Sequence, residues 1–333
     1  MFTKALLNTL IALTLLLTTA CSSRESAGTI RIGVVAKSLG NGFFDAVHKG
    51  ADEAAQAHGN VKIIFTGPTA TTAEGQIEVI NALIAQHVDV IAISANDSDA
   101  LVPALKKALK RGIKVMSFDS AVAKEGRIVH LSPSSDALVG RTCDRLAASA
   151  APAARGKFAI VSATPTSTNQ NAWIAEMKNA LPEFPGLELV AVVYGDDLAD
   201  KSYRETAALL KQYPDLAVIV SPSSVGIVAA AKAVEDQGAT GRVFVTGLGL
   251  PSEMAGHVHQ GTVKSFAIWN PIDLGYAVTQ IAVQLAHGDP VGPNTTVSIG
   301  RLGNVTFDAD GSGPMGEPFV YDKSNVDQFS QIF

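Results

Sequence analysis

The feature that most constrains this chain is a strand–helix rhythm that runs through five units, stops, and starts again. From residue 29 onward, short runs rich in β-branched residues alternate with helical patterns. The first five runs are "TIRIGVVAK", "VKIIFTG", "VDVIAISAN", "KVMSFDS" and "RIVHLSP". Each is apolar on both faces, as a strand must be when helices cover both sides of its sheet. Between them, "TTAEGQIEVINALIAQHV" sets Ile77, Ile80 and Ile84 on one stripe, and Pro103 opens "PALKKALKRG", which Gly112 ends. Strands spaced by helices of this length form a parallel, doubly wound sheet with right-handed crossovers.

The second set is "GKFAIVSA", "LELVAVVYG", "LAVIVSP", "GRVFVTG" and "VKSFAIWN", again separated by helical stretches such as "SVGIVAAAKAVEDQG". The break falls near "SPSSDA", Ser132 to Ala137, and no long linker marks it. A chain of 333 residues exceeds what one hydrophobic core usually serves. The expected fold is therefore α/β, with two similar doubly wound parallel-sheet lobes set close together. After a further helix, "PIDLGYAVTQIAVQLAHG", the tail is irregular and carries glycine and proline throughout.

Composition narrows the partners. Hydrophobic residues make up 47% of the chain and charged ones 17%, which suits a packed globular protein and excludes a disordered one. The net charge of -5 gives no electrostatic reason to expect nucleic acid or an anionic membrane surface.

The first twenty residues stand apart. "MFTKALLNTLIALTLLLTTAC" has Lys4 as its only charge, then an apolar run from Ala5 to Leu17, then small residues to Ala20. This is the layout of an export signal, with an apolar run short for a membrane span. Residues 21–28, "CSSRESAG", read as a tether. Cys21 at that junction resembles a bacterial lipoprotein site, where the thiol is acylated, although Thr18 stands where such sites usually carry leucine. Ordinary cleavage after Ala20 is the alternative. Both place the mature protein outside the cytoplasm. The one other cysteine, Cys143, then has no internal disulfide partner and is expected to be a small buried residue on a helix.

In open parallel sheets, ligands bind at the carboxyl ends of the strands. Here those ends carry Lys37, Asn41, Phe43 and Phe44 after the first strand, Asn96 and Asp97 after the third, and Asp119 after the fourth. In the second half they carry Asn169, Gln170 and Trp173, then Pro222, Ser223 and Ser224, then Trp269 and Asn270. Amides, a carboxylate, a lysine and aromatic rings suit a small polyhydroxylated molecule. Hydroxyls donate and accept at once, so Asp, Asn and Gln can bind them bidentately, and the C–H faces of a sugar pack on aromatic faces.

Each residue also has a plainer reading. Asp119 could form a turn or a cap, and Asn41 could start the turn into the next helix. Phe43 and Phe44 could be the first core residues of that helix, Asn169 and Asn171 could be N-caps, and Lys37 could point to solvent. The recurrence of polar and aromatic clusters at strand ends in both halves favours a site.

Signs of catalysis are missing. There is no Walker-type loop and no G-x-S-x-G, and "TGLGLPSEM" lacks the third glycine of a dinucleotide fingerprint. His257 and His259 have no cysteine or carboxylate cluster in sequence to complete a metal site, and read as a surface pair near a helix end. No enzyme activity, cofactor or metal is expected.

An export signal, two α/β lobes and "KSLGNGFFDAVHKGADEAA" resemble the periplasmic solute-binding proteins of the ribose-binding type, which feed ABC importers. The likeness runs from about Thr29 to the end. Within that group it is greatest to the rhamnose-binding proteins and extends more distantly to the autoinducer-2-binding proteins, through "GPTATTAEGQIEVIN", "ISANDSDALVPALKKA", "TSTNQNAW", "GDDLADKSYRE" and "FAIWNPIDLGYA". The resemblance implies lobes joined by three crossing segments, 29–132 plus 270–303 forming the first and 133–269 plus 304–333 the second, closing on a ligand in the cleft.

It also implies contacts. Lys37, Asp119, the pair Asn169 and Gln170, and Pro222 with Ser224 correspond to the positions that hold the ligand in autoinducer-2 proteins. Asn169 replaces an aspartate there and Ser224 an alanine, changes that disfavour the autoinducer and are compatible with a deoxyhexose. Gly249 occupies the place of a ribose-binding aspartate, and Trp269 that of a glutamine near the hinge, where its apolar face would suit the methyl of a 6-deoxy sugar. The implied protein is a monomeric extracytoplasmic receptor in the periplasm or on the outer face of the membrane, lipid-anchored if Cys21 is acylated. It would bind L-rhamnose and deliver it to the permease subunits of an ABC importer. Autoinducer-2 or another pentose or hexose is the alternative ligand.

Overall fold

The computed structural model describes residues 28–333, so the signal-like segment, Cys21 and the tether up to residue 27 lie outside the described residues. The first sheet is built from β1 (Ile30–Val35), β2 (Val61–Thr66), β3 (Val90–Ile93), β4 (Lys114–Phe118) and β5 (Val129–Ser132). The second starts with β6 (Gly156–Ser162), β7 (Leu187–Tyr194), β8 (Leu216–Ser221) and β9 (Phe244–Gly247). Helices α1 (Gly42–His58), α2 (Ala73–Ala85) and α3 (Val102–Lys110) connect the first set, and α4 (Asp136–Ala150) crosses to the second. There α5 (Thr168–Ala180), α6 (Ala199–Gln212), α7 (Ser224–Asp236) and α8 (Pro251–His259) follow. The chain continues through β10 (Ser265–Ile268), α9 (Pro271–His287), β11 (Thr296–Ser298), β12 (Asn304–Thr306), β13 (Ser312–Pro314), β14 (Phe319–Asp322) and α10 (Val326–Phe329).

The first sheet has the order β13-β5-β4-β3-β1-β2 and the second β7-β6-β8-β9, and both are parallel throughout. In the first, the chain steps one way from β1 to β2 and the other way to β3. In the second it does the same around β6. Each sheet therefore has a switch point, between β1 and β3 and between β6 and β8, where the outgoing loops splay apart and leave a crevice.

The cores follow the sequence pattern with one regular exception. Strands β3 and β8 are buried along their whole length, whereas β2 and β7 are half-exposed. The last two are edge strands, so helices cover them less completely than the apolar runs suggest. Helices α1 and α9 pack with their backbones nearly touching. A Cβ on Gly50 would lie 1.8 Å from the Ile272 carbonyl oxygen, and one on Gly275 1.9 Å from that of Val47. Only glycine at both positions lets α9 lie against the first lobe so closely.

The strand pairing departs from the expected organisation in two places. The sequence pattern predicts β10 as a fifth parallel strand, but it pairs antiparallel with β14 and meets the chain just past β9 in a single parallel bridge at Leu248 and Ala267. The resemblance implies a tail, 304–333, that lies whole in the second lobe. Its first part instead belongs with the first lobe, since β12 pairs with β11 and β13 extends the first sheet beside β5. Only β14 and α10 return to the second lobe, so the third crossing lies between residues 314 and 319, not at 303–304. Strands of three residues carry too little periodicity to announce this in sequence.

Candidate functional site

Eleven of the fifteen strand-end residues singled out from the sequence border one cavity between the lobes: Lys37, Asn41, Phe43, Phe44, Asp119, Asn169, Gln170, Trp173, Pro222, Ser224 and Trp269. The free space between these residues, counted with the solvent at its mouth, is about 390 Å³. Asn96, Asp97, Ser223 and Asn270 do not line it, and Asn270 has a clear role elsewhere. Its side chain accepts from Ile272 N at 2.9 Å and caps α9, a local role that the strand-end rule cannot distinguish from a ligand contact.

The polar side is assembled from both lobes. After β1 the chain turns at Lys37, and Asn41 caps α1 by accepting from Phe43 N at 3.0 Å, so this asparagine serves both the helix and the cavity wall. Lys37 is 3% exposed, and its Nζ donates across the cleft to Ser167 Oγ at 2.9 Å and Asn169 Oδ1 at 2.8 Å. Asn169 Nδ2 donates back to Asp119 Oδ1 at 3.1 Å. The capping alternative for Asn169 and Asn171 is set aside, because Ser167 holds the N-cap position of α5 and Asn171 Nδ2 donates to the Pro165 carbonyl. Gln170 Oε1 accepts from Ser162 Oγ and Ala163 N, both at 2.8 Å, which locks the end of β6 and leaves the amide N–H groups as the part able to serve a ligand.

Asp119 sits just past β4 with φ 57°, a left-handed conformation uncommon for a residue with a side chain and often found at ligand sites. Ser94 Oγ donates to its Oδ2 at 2.7 Å. Burial pushes its carboxyl above the usual range, while Lys37, Ser94 and Asn169 pull it down and Asp197 pushes it further up.

The other wall is aromatic. Phe43 and Phe44 meet edge to face at 5.2 Å between centroids, Phe43 meets Trp269 the same way at 6.1 Å, and Trp269 meets Trp173 at 5.7 Å. Phe43 and Phe44 also belong to the hydrophobic core, so packing the core and lining the cavity do not exclude each other. A polar edge facing a ring-lined wall can satisfy the hydroxyls and the C–H face of one small molecule at once.

Sequence reasoning missed Asp197, Leu248 and Ile268, which also line the cavity. Asp197 follows β7 in "YGDDL", and with Asp196 it adopts positive φ. Ser223 Oγ donates to its Oδ1 at 2.5 Å. Three turn-forming residues after a strand were the available signal. Leu248 and Ile268 are apolar and gave none. Asn96, by contrast, is structural: its Nδ2 donates to the carbonyls of Lys37 and Thr72, tying the loops together. His257 pairs with Glu235 and His259 with Asp327, and among the described residues no cluster able to hold a metal is present.

Residues 32–290 match the family model of the periplasmic binding protein domain. A D-ribose/D-allose-binding protein of Pseudomonas aeruginosa is 29% identical over 249 residues, covering 69% of this chain and 76% of that protein. Among solved structures, an ABC transporter solute-binding protein from Clostridium phytofermentas with bound L-rhamnose is 35% identical, with a TM-score of 0.88. The match covers 92% of this chain and 100% of that one. LsrB from Clostridium saccharobutylicum in complex with AI-2 is similar in fold, with a TM-score of 0.85 at 23% identity, over 90% of this chain and 99% of that one.

Proposed function

We propose, from the premise that this chain belongs to the periplasmic binding protein family, that it is the extracytoplasmic receptor of an ABC sugar importer and that its ligand is L-rhamnose. The observation that carries the sugar reading is the interlobe cavity with Lys37, Asp119, Asn169 and Gln170 opposite Phe43, Phe44, Trp173 and Trp269. The choice of sugar is supported by the rhamnose-bound relative, at 35% identity over nearly the whole chain.

The receptor binds and releases its sugar unchanged. Both lobes contribute side chains to one small site, so a ligand filling it binds the closed arrangement better than the open one. That difference is what shifts a hinge equilibrium, and the closed form is what the permease would receive. The side-chain bonds that now cross the cleft, from Lys37 to Ser167 and from Asn169 to Asp119, are then exchanged in part for bonds to sugar hydroxyls. Asp197 adds a second carboxylate acceptor beside Asp119 and makes the site better suited to neutral sugars than to acidic ones. Export and a monomeric state belong to the same proposal, as does acylation of Cys21, which lies outside the described residues.

The test is a calorimetric and thermal-shift panel on the purified protein with L-rhamnose, autoinducer-2, D-ribose, D-allose and D-galacturonate. A ligand at a hundred times its Kd stabilises the folded state by about 2.7 kcal/mol, an easily read shift. L-Rhamnose is expected to give the largest shift and galacturonate none. A larger shift with autoinducer-2 or another sugar would replace the ligand, and turnover of any member would remove the receptor reading.

A further inference from the structure

Trp173 and Trp269 stand in one aromatic wall, yet their indole N–H groups are treated differently. The Trp173 indole lies beside the carboxylate of Asp136 and helps to hold its pKa down. Trp269 is 4% exposed, and its Nε1 has no hydrogen-bond partner at all. A buried donor without an acceptor is costly, and native proteins leave few of them unexplained.

The position of this one is informative. Trp269 lies on the crossing between β10 and α9, one residue before the Asn270 cap that fixes the start of α9. Its ring contacts Phe43 of the first lobe nearly perpendicularly, at 89°, and Trp173 of the second at 65°. Held from both sides, the indole has little freedom to seek an acceptor elsewhere in the protein. The open space it borders is the interlobe cavity.

We propose that the Trp269 indole N–H is a hydrogen-bond donor to the bound ligand, supplied by the hinge itself, and that it selects sugars presenting an oxygen at one fixed ring position. This rests on the reading of the cleft as a sugar site and revises one expectation within it. The ligand group opposite the Trp269 nitrogen is an oxygen, and the deoxy methyl packs on the phenylalanine side of the wall. A site with a committed buried donor rejects an analogue lacking the matching oxygen, because the donor is then left unpaired in the complex.

Calorimetry would compare wild type with Trp269→Phe on the best-binding sugar of the panel and on its monodeoxy analogues, one hydroxyl at a time. In wild type, one analogue is expected to bind roughly three- to tenfold more weakly through loss of this bond, and that penalty should vanish in Trp269→Phe. Equal weakening of every analogue by the substitution, or none, overturns the inference while leaving the sugar site standing. If no sugar binds wild type, the sugar reading falls and this inference with it.

A second measurement needs no variant. The chain has two tryptophans, so isotope-labelled tryptophan gives two indole N–H signals. Saturation with the sugar should move one of them downfield and protect it from solvent exchange. Two unmoved indole signals in a saturated complex would sink the proposal.

Discussion

Asp119 and Asp144 are both aspartates shut away from water, and their surroundings could hardly differ more. Asp119 stands at a strand end in the cleft, accepts from Ser94 and Asn169, and has Lys37 nearby. Asp144 lies in the middle of α4, fully buried, and neither of its oxygens has a hydrogen-bond partner. Burial, with Glu183 adding repulsion, pushes its carboxyl up to about 7, and the same surroundings push the neighbouring Cys143 thiol up to about 12. Burial raises both carboxyls, but at Asp119 a cation and two donors oppose that rise and give a ligand a prepared acceptor, whereas nothing opposes it at Asp144. Without donors a buried carboxylate either protonates or weakens the fold.

The largest expected effect breaks the comparison on the cleft side. Asp119→Ala should lower sugar affinity by at least about a hundredfold, since it removes a charged acceptor and leaves Lys37 and Asn169 without their counterpart. Calorimetry checks the affinity and thermal melting checks that the variant still folds, with some stability lost because Ser94 and Asn169 keep donors without their acceptor and alanine suits φ 57° less well than aspartate. Retained affinity would remove Asp119 from the site. Lys37→Met should cost about tenfold or more and add a pH dependence. Lys37 holds the Asp119 carboxyl down, so its loss raises that carboxyl further. A carboxyl with a higher pKa needs higher pH to ionise, so the variant's affinity should climb from about pH 5 to 9 more steeply than that of wild type.

How much of this was legible in sequence depended on which physical signal a residue left. The alternating apolar runs made both parallel sheets readable, and the strand-end rule led to Lys37, Asp119, Asn169 and Trp269, all of which border the cavity. The same rule overreached at Asn270 and Asn96, because a capping or loop-tying asparagine has the same composition as a ligand contact. It fell short at Asp197, where a Gly-Asp-Asp turn looked like ordinary turn chemistry. The path of the tail was invisible because β12 and β13 are three residues each, and their placement is decided by the neighbouring strands. Asp144 was unreadable for a similar reason. An aspartate in "RTCDRLAAS" reads as solvated surface until α5 is packed against its helix.

The helical side of the comparison predicts a change in stability with none in binding. Asp144→Asn should raise unfolding free energy at pH 8 by about 1–3 kcal/mol, the cost of an unpartnered buried charged group. The sign follows from the raised carboxyl. Its penalty on folding is fully present above about 7, fades as the folded protein takes up a proton, and is gone below the ordinary value of 3.8. The variant and wild type should therefore converge on acidification, as chemical denaturation at pH 8, 6 and 4 would read. A gain that persists unchanged at pH 4 would mean that it does not come from the charge of the carboxylate.

The smallest effect separates the two aspartates most finely. Ser94 is buried at the end of β3, and its hydroxyl serves Asp119 rather than the cavity, which it does not line. Ser94→Ala removes one donor without touching the ligand, so affinity should fall only about two- to tenfold, the value of one modest hydrogen bond. The change also moves Asp119 a step toward the condition of Asp144, with fewer donors and the same burial. Its carboxyl should rise, and the affinity lost should be recovered in part at higher pH, in the same direction as in Lys37→Met but less steeply. If Ser94→Ala leaves both affinity and its pH profile unchanged, Asp119 is held by Lys37 and Asn169 alone. The number of donors around a buried carboxylate would then matter less than the presence of one opposite charge.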